Sequence, residues 1–173
     1  AIDHLTRGLE IVATLVPSLE RDRLELDLRL AYSPVIMAVG GYGSTTAEQS
    51  FERIRELSET LDDHDSRFTA MCGLWQMNLL RGSVAVSKRY SDELWSATID
   101  SNNLDHLVQA RHSCWSSDLY AGDPVSCLEH ATAGYSMYDR EKHRSHKFLY
   151  GTHDPGVCGL NHKGLTNVIL GHA

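Results

Sequence analysis

The sequence predicts an all-α fold, an α-solenoid of antiparallel helix pairs with about eight helices and a repeat of about 40 residues. Three observations lead there. Apolar residues recur at spacings of three and four, which marks one face of a helix. Glycines punctuate these stretches at near-regular intervals, where a chain leaving a helix needs a left-handed residue. Only four prolines occur, and the alternation expected of strands is nearly absent.

The period is read from matched positions. Trp75 and Gly82 recur as Trp115 and Gly122, an interval of 40 residues, and Gly41 precedes Gly82 by 41. Gly171 follows Gly122 by 49, so the last unit carries an insertion of about nine residues near Tyr138 to Gly151. The predicted helices are 1–16, 19–39, 45–61, 65–81, 84–99, 103–121, 124–138 and 154–170. The second is dense in leucine from Leu24 to Leu30 and runs on through Val35, Ile36 and Val39 to Gly41. The third carries Ala47, Phe51, Ile54, Leu57 and Leu61 on one face. Phe68, Met71, Leu74, Trp75 and Leu79 pattern the fourth, and Val84, Tyr90, Leu94 and Trp95 the fifth. Leu104 to Tyr120 and Val125 to Tyr138 form the next pair. Asp123-Pro124 opens its second helix with a capping carboxylate and a proline at the first helical position. Asp154-Pro155-Gly156 repeats that signal for the last helix.

Composition agrees with one ordinary globular domain over residues 1–173: 42% hydrophobic and 23% charged. A net charge of −7 argues against general binding to nucleic acid or to an acidic membrane. No apolar run approaches the roughly 18 residues of a bilayer span. Ala1-Ile2-Asp3-His4 is not a secretion signal, and Cys72, Cys114, Cys127 and Cys158 are spaced as reduced thiols in a helical core. The chain therefore reads as cytoplasmic. It begins on the second helix of one pair and stops after the first helix of another. That gives one helix, three pairs and one helix, as in a slice of a longer ladder. Uncapped apolar end helices of such a slice would stack on a neighbour or on a second copy, giving a homo-oligomer.

The repeat resembles a divergent tetratricopeptide unit, with a small residue, a large one four later and a small one three later. Ala1-x3-Leu5-x2-Gly8-Leu9, Ala47-x3-Phe51 and Cys127-x3-Ala131-x2-Gly134 carry it. A more specific likeness lies in Glu20-Arg21-Asp22-Arg23-Leu24-Glu25-Leu26, in Gly73-Leu74-Trp75, and in Tyr138-Asp139-Arg140-Glu141-Lys142-His143-Arg144-Ser145-His146. Tyr150-Gly151-Thr152-His153-Asp154-Pro155-Gly156-Val157-Cys158 completes it. These stretches resemble the C-terminal tetratricopeptide-like region of bacterial signalling proteins built on class III adenylate/guanylate cyclase and AAA-type ATPase modules. The resemblance implies a regulatory scaffold without catalytic residues or cofactor. Its partners would be the ATPase and cyclase domains of a parent chain, or a protein or peptide. Gly40-Gly41-Tyr42-Gly43-Ser44-Thr45 lacks the lysine of a phosphate loop and follows no strand, so it reads as a turn.

Candidate site residues fall into three sets. If first helices line a concave surface, Arg29, Gln76, Asn78, Arg111 and Asp118 are its exposed polar contacts. Arg140, Lys142, Arg144 and Lys147, with the helix N-terminus at Gly156, form an alternative anion site. His143, His146, His153, Cys158 and His162 form an alternative metal site for zinc or a similar ion. Against the metal reading, Cys158 and His162 could simply fill the helix interface while His143 and His146 bond backbone.

Overall fold

In the computed structural model, residues 2–150 and 153–172 are described. Ala1 of the first small-large-small pattern and Gly151-Thr152 of the insertion lie outside them. The eight expected helices are α1 (Ile2–Ala13), α2 (Leu19–Gly40), α3 (Thr45–Thr60), α4 (His64–Leu80), α5 (Val84–Thr98), α6 (Leu104–Ala121), α7 (Pro124–Met137) and α10 (Pro155–Ile169). The insertion adds two single-turn helices, α8 (Arg140–His143) and α9 (His146–Leu149). Among the described residues there is no strand, and no helix is long and apolar enough to cross a membrane.

The glycines act as the spacing predicts. Among the described residues, Gly41, Gly82, Gly122 and Gly171 are the glycines with positive φ, from 72° to 85°. Gly122 ends α6 in the left-handed region, and its N–H returns to the Asp118 and Leu119 carbonyls. Between α3 and α4 the same backbone turn falls to Asp62, with φ 53°. Helix starts follow the capping rule. Ser18, Ser44, Asp63, Asn103, Asp123 and Asp154 each accept a first-turn N–H with a side-chain oxygen.

Each long helix packs on its neighbour in the chain, with α7 meeting α10 across the insertion. The first helices also touch along the row: α4 meets α6, and α6 meets α10. The core moves with the stack. Leu26, Phe51, Ile54, Leu57, Leu74 and Met77 fill the α2–α3–α4 seam. Phe68, Met71, Cys72, Trp75, Leu79 and Leu94 fill the next. Trp115, Cys127 and Ala131 fill the last, with Cys158 packed against them. Glycines make room for the large rings. Gly73 lies under Phe51, and a Cβ there would stand 2.5 Å from the ring. A Cβ on Gly134 would stand 2.4 Å from Trp115.

The two ends differ from this interior. At one end Ile11, Leu15, Val16 and Leu19 are exposed. At the other, the outer face of α10 exposes Val157, Leu160, Leu165, Val168 and Ile169.

Candidate functional site

Helix α6 is covered by α5, α7, α10 and α4, and polar residues run along one of its faces. Asp105, Gln109, His112 and Ser116 follow a four-three-four spacing, so they share one stripe. That stripe faces the insertion and the start of α10, and it collects their histidines.

The contacts form a directed chain. The Gln109 amide nitrogen donates to His146 Nδ1 at 2.9 Å, and its Oε1 accepts from His112 Nδ1 at 3.1 Å. With its Nδ1 accepting, His146 carries its proton on Nε2 and donates to Asp105 Oδ1 at 2.9 Å. With its Nδ1 donating, His112 keeps a lone pair on Nε2, which accepts from His153 Nε2 at 3.0 Å. Protons therefore point one way, His153 to His112 to Gln109 to His146 to Asp105. The Asp105 end lines a cleft of about 720 Å³ with Tyr138, Asp139, Lys142 and His143.

Burial sets the charge states. His112 is 3% exposed and is held neutral well below the ordinary imidazole range, by burial first and then by the neighbouring rings of His153, His162 and His146. Burial also lowers His146, outweighing the hydrogen bond and charge of Asp105. It raises the Cys158 thiol against the lowering effect of Trp115 and Ser116.

Two groups bring three potential metal-ligand atoms within 4.8 Å of one another. Asp105, His143 and His146 form the first. Its tautomers oppose a metal. His143 Nδ1 accepts the Asp139 N–H at 2.8 Å, so His143 Nε2, like that of His146, carries the proton toward the carboxylate. His112, His153 and Cys158 form the second, where a ring-nitrogen lone pair is available.

The five-residue metal set is thus divided. His143 and His146 join Asp105; His153 and Cys158 join His112; His162 Nδ1 stays outside both groups, 2.9 Å from the Cys158 carbonyl oxygen and 3.4 Å from its sulfur. The sequence reading missed Asp105, Gln109 and His112. The available signal was a polar stripe on a helix otherwise buried.

The anion set does not converge. Arg140, Lys142, Arg144 and Lys147 are exposed. Lys142 sits 3.8 Å from Asp139, Arg144 3.9 Å from Glu141, and the Lys147 ammonium lies over the Phe148 ring. Asp154 occupies the helix N-terminus, accepting from Gly156 N at 2.8 Å and Val157 N at 3.1 Å, so the chain supplies its own anion there.

The concave-face set is corrected as well. Gln76, Asn78 and Asp118 are buried, because α4 and α6 are enclosed by neighbours on several sides. Asn78 donates to the Leu74 carbonyl, and Asp118 pairs with Lys88 at 2.9 Å. Arg29 is tied to Glu25 at 2.8 Å, and Arg111 lies 4.3 Å over the Trp95 ring.

Fold and site together define an all-α stack of helix pairs with a buried polar chain against its insertion. The chain is similar to an uncharacterized protein of Rhizobium meliloti (strain 1021), 22% identical over 173 residues. The match covers 99% of this chain and 16% of that protein's length. No family model and no solved structure matches.

Proposed function

We propose that the chain is a protein–protein interaction and regulatory module of a signalling protein, akin to the helical regions that accompany cyclase and AAA-type ATPase modules. The observation supporting this is the outer face of α10. Val157, Leu160, Leu165 and Val168 lie along it, with Val157 69% and Val168 74% exposed. An apolar row of this kind on a terminal helix fits a further helix or a partner domain. The stack would hold this face rigidly, while the inner face of the same helix carries Cys158 and His162.

Light scattering after size exclusion tests the proposal on the chain and on a Val157→Glu/Val168→Glu variant, with cross-linking of the intact parent protein beside it. Self-association that the variant loses, or cross-links from α10 to another domain of the parent, supports it. A monomer at every concentration for both proteins, with no cross-link to α10, overturns it.

A further inference from the structure

We propose that His112, His153 and Cys158 form a binding site for a divalent transition metal of the zinc class, held by two imidazole nitrogens and a thiolate. The donor set is the one such ions select, since imidazole and thiolate suit a borderline-soft cation. The geometry is close to closed already. Tetrahedral zinc places two ring nitrogens roughly 3.3 Å apart, and His112 Nε2 and His153 Nε2 stand 3.0 Å apart. The Cys158 sulfur lies within 4.8 Å of both.

Two further features point to a ligand. A metal-bound histidine usually donates its other ring N–H to a fixed acceptor, which locks its tautomer. His112 does this through Nδ1 to Gln109 Oε1, and the amide is braced in turn by His146. The second feature is Trp115. This side chain is 1% exposed, and its Nε1–H completes no regular hydrogen bond among the described residues, meeting the Cys158 sulfur only closely enough to lower its thiol. It lies beside Cys158 in the same cluster. A metal-bound thiolate is a better acceptor than a thiol and would satisfy that N–H.

Access is one-sided. His112 is buried, Cys158 half-buried and His153 exposed. Three protein ligands with one open side leave the fourth position to water or to a partner's ligand. Binding balances in protons. The His153 proton moves from Nε2 to Nδ1, the Cys158 thiol releases its proton to solvent, and one proton leaves per metal ion bound. The metal would fasten α6, α10 and the end of the insertion to one another. This site is separate from the outer face of α10, so the two proposals fail independently.

Cobalt(II) is the probe, added to chelator-stripped protein, with zinc(II) as competitor. The expected result is visible tetrahedral bands and a near-ultraviolet thiolate-to-cobalt band that saturate at one equivalent, release one proton and are abolished by zinc. Cys158→Ser should lose the thiolate band, and His153→Gln should weaken affinity by at least ~10-fold. His143→Gln should leave the spectrum unchanged. Both His153 and Cys158 reach the surface, so these variants should keep the wild-type circular dichroism. Absence of any band at one equivalent overturns the site. So does a thiolate band that survives Cys158→Ser, or binding that is lost in His143→Gln and kept in His153→Gln.

Discussion

Trp115 keeps its place because its neighbours have almost no side chain. Gly134 and Gly159 on α7 and α10 both face its ring. A methyl group on Gly134 would need the ring to shift and would also crowd the Arg111 Cβ at 3.0 Å. Gly134→Ala should therefore destabilise by ~1–3 kcal/mol despite alanine's better helix propensity. Gly164 is the control: it is exposed on α10, and a Cβ there meets nothing within 4 Å. Gly164→Ala should stabilise by ~0.5–1 kcal/mol. Urea unfolding of both variants checks the pair, and equal shifts would refute the packing account. The recurrence of Trp75 as Trp115 at the repeat interval was legible in the sequence. The partners of Trp115 were not. Gly134 and Gly159 come from two helices, and no spacing rule relates them to position 115.

At the scale of elements, Asp154 fixes the start of α10. It caps the helix through two N–H groups and accepts from the Tyr138 hydroxyl at 2.7 Å, joining the end of α7 to the start of α10 across the insertion. Burial, and then this same bond, raise the Tyr138 phenol to about 12. Asp154→Ala should cost ~1–2 kcal/mol, and Asp154→Asn should recover part of it; thermal melts measure both. If alanine is neutral, the cap is not what anchors α10. Aspartate followed by proline was legible as a helix start, since capping is local chemistry. The insertion was not: α8 and α9 are four residues each, too short for any periodicity. Their buried histidines are placed by α6, about 40 residues away in sequence.

Across the whole molecule the buried and half-buried imidazoles couple stability to pH. His112, His146, His162, His106 and His130 are all lowered, burial being the largest cause in each. The unfolded chain therefore binds more protons than the folded one once pH drops below the ordinary imidazole value of about 6.5. Stability is complete above that value and declines as pH falls toward the lower folded values. The thermal midpoint of metal-free protein should fall between pH 7 and pH 5, and His130→Gln should flatten the slope. A midpoint that is level across this range would refute it. Glu25 acts in a separate, more acid window. Burial disfavours its charge, but hydrogen bonds and charge from Arg53 and Arg29 outweigh this and hold its carboxyl low. Its contribution is present above the ordinary carboxylate range and is lost only as pH falls through the lowered value.

The sequence by itself determined the all-α class, the eight long helices, the glycine turns and the helix starts at Asp123 and Asp154. Each of these follows from interactions within a few residues along the chain: one apolar face, one positive φ, one side-chain oxygen at a helix start. Only the tertiary structure decided which polar residues are surface and which are interior. Gln76, Asn78 and Asp118 are polar by type, yet packing on several sides of α4 and α6 encloses them. It also decided the membership of the site, adding Asp105, Gln109 and His112 to histidines from the insertion and a cysteine from α10. Hydrogen bonds between imidazoles and a distant helix depend on where the stack brings that helix, and no local spacing records it.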